Sequence, residues 1–265
     1  MLSVCATPIG NLEDVTLRVL RELREADVIL CEDTRHTRVL LGRHDIRATL
    51  LSYHEHNEAK RTAEILPRLL AGERVALVSD AGMPGISDPG ARLIAAALEA
   101  GAPVTVLPGP SAVETALVAS GLVGERYQFV GYLPRGEKAL ASLWRELARW
   151  PWPVVAFESP RRLPRTLRSL AAELPGRDVA VCRELTKRFE EVVRGTAEEL
   201  AVRFAEPPKG EIVLVLGGAE TVVDEAAGAE AVAELVRAGL ARRQAAELVA
   251  RLTGASRNAL FKRSL

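Results

Sequence analysis

Short runs of apolar residues alternate along the chain with longer stretches in which apolar residues recur every three or four positions. Short runs rich in Val, Ile and Leu are typical of buried strands, and the longer stretches are typical of amphipathic helices. In the first half the pattern predicts strands at Leu2–Thr7, Val28–Cys31, Leu50–Tyr53, Val75–Ser79 and Val104–Leu107. It predicts helices near residues 14–25, 57–71, 89–100 and 111–120. Such alternation indicates an α/β protein.

The second half repeats this pattern after a turn from Gly121 to Gly124. Strands are predicted at Tyr127–Gly131, Val154–Phe157, Val179–Arg183, Glu191–Arg194 and Ile212–Leu216, and helices near 137–149, 161–173 and 196–205. No helical pattern separates the third and fourth of these strands, so we expect that pair to be antiparallel. The chain is therefore predicted to contain two α/β domains, residues 1–121 and 122–219.

Residues 220–265 differ in character from the rest of the chain. The Ala-, Glu- and Gly-rich stretch 220–228 resembles a linker. Two amphipathic helices are predicted at Ala231–Leu240 and Arg242–Leu252, and a third, short one begins near Ser256. Three short helices with Gly-marked turns indicate a small helical extension of the helix-turn-helix kind.

Charge is balanced over the 265 residues, with 35 basic and 35 acidic side chains, but it is unevenly distributed. Residues 1–125 carry a net charge of −5 and residues 126–265 a net charge of +5. The neutral sum and the 48% hydrophobic content exclude a polycation and a disordered acidic chain. The last 25 residues hold six cations and a single acid, Glu247. They form either an ordinary exposed amphipathic tail or a surface that faces phosphates.

The three cysteines are far apart and each lies in an apolar run, so we expect buried free thiols in a reducing compartment. No positively charged leader and no long apolar stretch is apparent. We therefore expect a cytoplasmic protein with no membrane partner.

The residues that could bind a ligand or take part in catalysis lie in the loops that follow strands, where open α/β sheets bind ligands. A tight Pro- and Gly-containing turn at residues 7–11 follows the first strand. The sequence has neither a GxGxxG fingerprint nor a phosphate-binding GxxxxGK[ST] loop. Classical NAD enzymes and P-loop nucleotide hydrolases are therefore poor interpretations.

The loop SDAGMPGISDPG, residues 79–90, is the most informative segment. Its three glycines and two prolines predict a rigid loop whose backbone groups are open to a ligand. Asp80 stands at the end of a strand, where it could accept hydrogen bonds. Asp88 is predicted to cap the following helix, with Pro89 in the first helical position.

Three further loops follow strands: PGPSAVE at residues 108–114, FESPRR at 157–162 and RELTK at 183–187. Ser111 and Glu114 have the spacing of a capping box, which on its own indicates a structural role. The alternating charges of residues 183–187 indicate a site more often than a solvated surface.

Eight ordered motifs resemble one family, that of ribosomal RNA small subunit methyltransferase I, within the tetrapyrrole methylase superfamily. The motifs are TPIGNLEDVT, CEDTRHT, SYHEHNE, SDAGMPGISDPG, PGPSA, FESPRR, CRELTKRFEE and GEIVLVL, and the match covers about residues 3–217 in order. The basic tail resembles the C-terminal helical extension of that family. The FESPRR motif has Arg161 where many relatives have His.

The resemblance implies two α/β domains with a cleft between them for S-adenosylmethionine, in a homodimer. It implies 2′-O-methylation of a cytidine ribose in the decoding region of small-subunit rRNA, free or in the assembled 30S subunit, and no DNA partner. The implied cofactor-binding residues are Pro8, Asp80, Gly82, Gly85, Ile86, Ser87, Ala112, Phe157, Leu185, Gly210 and Glu211.

The catalytic base is not evident from the sequence. A ribose hydroxyl is a poor nucleophile at neutral pH, so a base or a stabilising cation would help. We assign this role to Glu184 and Lys187, with Glu158 as a weaker candidate. Other candidates remain open: Glu32, Asp33, His54 and His56. RNA contacts are assigned to Arg35, His54, Arg162, Arg183, Arg242, Arg243 and Arg251.

Other interpretations also remain open. His54 and His56 would share one face of a strand, as in a zinc site, but no further ligand is near in the sequence and we expect no metal. The same cofactor loops fit a methylase of a tetrapyrrole or another small molecule, which would not need the basic extension. A non-catalytic RNA-binding assembly factor that keeps the pocket only for structure is a third possibility.

Overall fold

The computed structural model describes residues 1–219 and 225–264. Its first sheet has five parallel strands in the order β3-β2-β4-β1-β5. The strands are β1 Leu2–Cys5, β2 Val28–Cys31, β3 Leu50–Ser52, β4 Val75–Leu77 and β5 Val104–Leu107. The helices of this lobe are α1 Leu17–Glu25, α2 Thr34–Arg43, α3 Glu58–Leu70, α4 Ala91–Glu99 and α5 Ala112–Ser120. Central strands β1, β2 and β4 are buried throughout, which explains their continuously apolar sequences.

The second sheet is mixed, in the order β6-β7-β10-β8-β9. Its strands are β6 Gln128–Tyr132, β7 Val154–Glu158, β8 Asp178–Arg183, β9 Glu191–Thr196 and β10 Ile212–Leu216. Strands β6 and β7 are parallel, whereas β10 is antiparallel to both β7 and β8. Strands β8 and β9 are antiparallel, as the missing helix between them predicts. The helices of this lobe are α6 Glu137–Leu147, α7 Leu163–Glu173 and α8 Ala197–Arg203. The predicted α/β fold is thus confirmed.

Helix α5 joins the two lobes. Its residues Val113, Ala116 and Leu117 pack in one buried cluster with residues of the second sheet, among them Val155 and Val213. The α-helix therefore belongs to the first lobe by chain order but covers a face of the second sheet. Apolar burial of this extent holds the lobes together, and residues Met1–Ala219 form one compact unit.

Helix α2 was not predicted, and it lies directly after β2. It begins at an N-cap, Asp33, whose carboxylate accepts a hydrogen bond from the backbone N–H of Arg35. Its buried residues Thr37, Leu40 and Leu41 have helical spacing, but several Arg and His residues dilute the pattern. The helix is stabilised by burying that narrow apolar face against the sheet, a tertiary effect that the sequence pattern understates.

Residues Glu220–Leu265 form a separate compact unit. Its helices are α9 Glu225–Arg237, α10 Arg242–Thr253 and α11 Arg257–Arg263, which pack around Val232, Val249 and Leu260. The linker prediction is wrong for residues 225–228, which already belong to α9, and its first part, residues 220–224, lies outside the described residues. In the part of the chain that the structure describes, no helix is both long and apolar enough to cross a membrane.

Candidate functional site

A cavity of about 400 Å³ lies between the two lobes. The first lobe contributes the loop after β1, the loop after β4 and the start of α5, and the second lobe contributes the ends of β7 and β8 and the start of β10. Seven residues that the resemblance assigned to the cofactor line it: Gly82, Ile86, Ser87, Ala112, Phe157, Leu185 and Glu211. The structure therefore brings together residues that are up to 129 positions apart, from Gly82 to Glu211.

The 79–90 loop forms one wall of this cavity. Gly82 and Thr7 exchange backbone hydrogen bonds of 2.9 and 3.0 Å, which tie the loop to the turn after β1. Gly82 and Gly85 have φ values of +78° and +84°, which glycine adopts without a steric penalty. Ser87 has φ 61° and stores backbone strain at the cavity wall.

The predicted N-cap of α4 is wrong. Helix α4 begins after Gly90, and the Gly90 N–H donates to the Glu58 carboxylate at 3.2 Å. Asp88 instead lines the large cavity. The helix thus begins two residues later than predicted, which leaves Asp88 in the loop at the cavity wall.

Carboxylates cluster on the first-lobe side of the site. Burial, together with the charge of Glu32, raises the pKa of Asp88 to about 6. Burial and the charge of Asp80 raise the pKa of Glu32. In contrast, the Arg35 side chain and backbone lower the pKa of Asp33 to about 2 through hydrogen bonds. Glu32 raises the pKa of Asp88, and Asp80 raises the pKa of Glu32, because all three carboxyl groups are close together. This wall therefore has a negative potential, which favours a cationic ligand.

The 184–187 loop is held in a strained conformation. Glu184 and Thr186 have φ values of 52° and 65°. The Glu184 carboxylate accepts hydrogen bonds from the backbone N–H of Glu211 at 2.9 Å and from Lys187 Nζ at 3.0 Å. These bonds lower the pKa of Glu184, the backbone bond most, so its carboxylate is a poor base. The geometry favours Glu184 as a residue that positions Lys187.

A smaller cavity of about 140 Å³ adjoins the large one. The two share Ile9, Ala81 and Glu211 in their walls. Besides Glu211, three predicted site residues line the smaller cavity: Pro8, Asp80 and Lys187. Gly85 and Gly210 line neither cavity; Gly210 lies against the Glu184 side chain, where a Cβ atom would come within 2.4 Å of Glu184 Cγ.

Glu158 lies at the wall of the large cavity but is buried and fully engaged. Its carboxylate accepts hydrogen bonds from the Thr166 hydroxyl at 2.5 Å and the Ser159 N–H at 2.6 Å, and Arg162 Nε lies 3.2 Å away. Arg162 also donates to the carbonyls of Leu133 and Pro134. Neither the assignment of Glu158 as a base nor that of Arg162 as an RNA contact agrees with this geometry, because both side chains hold the lobe together.

The other predicted RNA contacts are dispersed. Arg35 is exposed near the smaller cavity and pairs with Asp33 at 2.6 Å. His54 lies beyond β3, and its Nε2 atom is 3.1 Å from the Asn57 amide nitrogen. Arg183 pairs with Glu191 across β8 and β9 at 3.0 Å.

Three further predicted RNA contacts belong to α10 in the separate C-terminal unit: Arg242, Arg243 and Arg251. Arg243 and Arg251 are exposed, whereas Arg242 donates to the Ser264 carbonyl.

The rings of His54 and His56 are 5.9 Å apart and edge to face. Within residues 1–219 and 225–264, no group of three or more His, Cys, Asp and Glu side chains is arranged to hold a metal ion.

Three side chains at the cavities were not predicted from the sequence: His36, Asp88 and Tyr132. Tyr132 lines the large cavity and its ring packs edge to face on Phe157 at 5.5 Å. His36 lies in the family motif CEDTRHT, so the sequence could have indicated it as a site residue. Its position at the smaller cavity, however, depends on the helical conformation of α2.

Comparison with known proteins agrees with this arrangement. Residues 1–201 match the family model described as Tetrapyrrole (Corrin/Porphyrin) Methylases. The chain is 43% identical over its full length to a protein named Ribosomal RNA small subunit methyltransferase I from Mesorhizobium japonicum, covering 91% of that relative. It is 48% identical to the protein of the same name from Halalkalibacterium halodurans, over 82% of this chain and 75% of the relative.

A solved structure of uroporphyrin-III C-methyl transferase from Thermus thermophilus, complexed with S-adenyl homocysteine, has the same fold. It superimposes with a TM-score of 0.58 at 19% identity, over 82% of this chain and 96% of that one. The motifs, the two-lobed fold and these similarities agree that the chain belongs to the tetrapyrrole methylase family, among the relatives named ribosomal RNA small subunit methyltransferase I.

Proposed function

We propose that this protein is an S-adenosylmethionine-dependent methyltransferase that modifies the RNA of the small ribosomal subunit, at the 2′ oxygen of a cytidine ribose. The observation that carries the proposal is the 43% identity, over the whole chain, to a relative named for this activity. The cavity between the lobes supports it, because the loops that match the family motifs meet there.

The residues around the large cavity fit S-adenosylmethionine. Ile86, Phe157 and Leu185 offer apolar surface for the adenine and thioether parts, and Ser87 and the loop backbone offer hydrogen bonds. The carboxyl of Asp88 and the neighbouring Glu32 suit the sulfonium and ammonium charges. When bound there, the cofactor supplies an electrophilic methyl group. The same cofactor class is present, as S-adenyl homocysteine, in the structurally similar uroporphyrin methylase.

We assign the cofactor to the seven large-cavity residues named above, with Gly85 and Gly210 shaping the loops around them. Lys187 is the cation for the acceptor side, because its ammonium lies in the smaller cavity between Glu184 and Glu211. Partial burial acts to lower the pKa of Lys187, but the hydrogen bonds with these two carboxylates outweigh it and raise the pKa. Lys187 therefore stays charged at neutral pH.

The RNA is engaged, in this proposal, by Arg35 and His54 near the site and by Arg243 and Arg251 of the C-terminal unit, whose exposed guanidinium groups suit phosphate. The family resemblance further supports a homodimer and a small-subunit substrate, either the free rRNA or the assembled 30S subunit. An rRNA substrate supports action in the cytoplasm.

The test is a methyl-transfer assay with methyl-labelled S-adenosylmethionine and three acceptors: purified small subunits, naked small-subunit rRNA and a corrinoid. Digestion of the RNA to nucleosides and mass spectrometry locate the label. We expect 2′-O-methylcytidine from the small subunits or their RNA. Label only on the corrinoid would support a small-molecule methylase, and binding of RNA without any label would support an assembly factor; either result contradicts the proposal.

A further inference from the structure

The smaller cavity is lined by charged and titratable side chains that the proposed cofactor contacts do not use. Its walls come from both lobes: the turn after β1, helix α2 and the loop after β4 on one side, and Lys187 and Glu211 on the other. It opens beside the large cavity, since Ile9, Ala81 and Glu211 belong to both walls. A group held in the smaller cavity therefore lies next to a molecule held in the larger one.

An aspartate and a histidine face each other in this cavity. Asp80 Oδ1 accepts a hydrogen bond of 3.0 Å from the Asp33 backbone N–H, which fixes the carboxylate between the ends of neighbouring strands β2 and β4. Asp80 Oδ2 lies 3.7 Å from His36 Nδ1. A carboxylate at Nδ1 favours the tautomer with its proton there and leaves Nε2 as the proton acceptor.

The 3.7 Å separation is longer than a hydrogen bond, and catalytic contacts of this kind commonly tighten only when the substrate is bound. The His36 side chain is 65% exposed, so its ring has room to turn toward Asp80 and toward a bound ribose. An imidazole oriented by a fixed carboxylate is the arrangement by which hydroxyl nucleophiles are activated in unrelated enzymes.

We infer that His36 is the general base of the methyl transfer, that Asp80 is the residue that positions it, and that the smaller cavity receives the acceptor ribose. This inference rests on the proposed function. The ribose 2′ oxygen forms a bond to the methyl carbon, and the carbon–sulfur bond breaks with its electron pair remaining on sulfur. The hydroxyl proton passes to His36 Nε2, and the resulting imidazolium is stabilised by Asp80.

Several charged groups surround His36 at the smaller cavity. Asp33 and Arg35 precede it on its own segment, and Asp80 faces it from the loop after β4. Lys187 and Glu211 face the same cavity from the second lobe. Glu32, at the end of β2, adds a further carboxyl near Asp80.

The experiment compares the wild type with His36→Gln and Asp80→Asn, and uses His44→Gln as the matched control. His44 caps the other end of α2 and lines neither cavity. Three quantities are measured for each: the single-turnover rate of ribose labelling on small subunits from pH 6 to 9, the Kd of S-adenosylmethionine by calorimetry, and the imidazole nitrogen shifts of His36 by NMR.

We expect both site variants to lower the rate constant at least about 100-fold, the range of general base catalysis, with the cofactor Kd within about threefold of wild type. The wild-type rate falls as the pH is lowered and the base takes up a proton, and H36Q loses this fall. In D80N the NMR shifts of His36 move away from the Nδ1–H tautomer, a readout that needs no cofactor. H44Q retains the wild-type rate.

Two outcomes would overturn the inference and leave the proposed function standing. In the first, the wild type labels ribose and H36Q does so at the same rate. In the second, the cofactor Kd of D80N rises tenfold or more, which would show that Asp80 binds the cofactor. A wild type that leaves ribose unlabelled overturns the proposed function, and the inference with it.

Discussion

At the scale of single residues, burial and neighbouring charge set the chemistry of the site. Asp88 and Glu184 are both carboxylates at the cleft, yet their pKa values shift in opposite directions. Asp88 is half-buried near Glu32, so its charged form is disfavoured, whereas Glu184 accepts a backbone and a lysine hydrogen bond, so its charged form is favoured. The amino-acid type alone predicts neither shift.

Asp88 is expected to lower the stability of the folded protein as the pH rises. Because its folded-state pKa is raised from 3.8 to about 6, the folded protein holds the proton more tightly than the unfolded chain. The free energy of unfolding contributed by Asp88 therefore decreases as the pH rises from about 4 to about 6 and stays lower above that. Asp88→Asn removes the decrease, and because the carboxyl is partly exposed to solvent the variant is only about 1–2 kcal/mol more stable than wild type at pH 7, relative to their difference at pH 4.

Urea unfolding of the wild type and D88N at pH 4, 5, 6 and 7 measures this effect. Asp14→Asn, an exposed aspartate on the turn before α1, is the control and is expected to run parallel to wild type. A stability difference between D88N and wild type that does not change with pH would contradict the prediction.

At the scale of elements, the two lobes meet through loops packed without space for a side chain. Gly10, in the turn after β1, lies against the 184–187 loop of the second lobe. A Cβ atom at Gly10 would come within 2.5 Å of Lys187 Cγ, 2.7 Å of Thr186 Oγ1 and 2.9 Å of the Leu185 carbonyl oxygen. Glycine is therefore required here for close approach and not for an unusual φ.

Gly10→Ala is expected to push the turn and the 184–187 loop apart. We predict a loss of about 1–3 kcal/mol in the free energy of unfolding, the usual effect of overpacking, and weaker binding of S-adenosylmethionine because Leu185 moves from the cavity wall. Chemical denaturation and calorimetry measure the two effects.

The control for that variant is Gly42→Ala, because Gly42 lies in α2 and a Cβ atom there would meet nothing within 4 Å. It is expected to gain about 0.5–1 kcal/mol from helix propensity. If G10A were as stable as G42A and bound the cofactor normally, the contact between the two loops would not exist in solution.

At the scale of the whole molecule, acidic and basic side chains are concentrated in different parts of the chain. The first half carries the carboxylates that suit a cationic cofactor, and the C-terminal unit carries exposed arginines. Arg242 donates to the Ser264 carbonyl within that unit, so it is left intact when the surface is tested. The division of residues 1–219 at position 121 stays a prediction.

Charge reversal of the C-terminal unit by Arg243→Glu and Arg251→Glu is expected to weaken binding to small-subunit rRNA. The plot of log K against log salt has a negative slope, and each lost phosphate contact makes it less steep by about 0.7–0.9. Titrations at 50–200 mM KCl measure the slope. Arg18→Glu with Arg21→Glu on α1 makes the same charge change in the other unit and is the control. Equal slopes for both double variants would show that general charge, and not this surface, governs RNA binding.

The sequence by itself determined the strands, the motif-bearing loops, the family and the basic tail, because these depend on local periodicity, turn chemistry and residue identity. Gly82, Ile86 and Phe157 lie at the cavity as the motifs predict. The tertiary structure alone decided which charged groups are free to act. Strand order places the ends of β2 and β4 side by side, so Asp80 meets His36 across 44 positions of sequence.

The same long-range packing engaged groups that the sequence presents as reactive. Arg162 donates to the carbonyls of Leu133 and Pro134, 29 and 28 residues away, and Glu184 accepts a hydrogen bond from a backbone N–H 27 residues away. Local patterns contain no information on such partners, because hydrogen bonding and burial between distant segments depend on how the sheets pack. The sequence therefore determined where the chemistry lies, and only the tertiary structure decided which side chains are available to perform it.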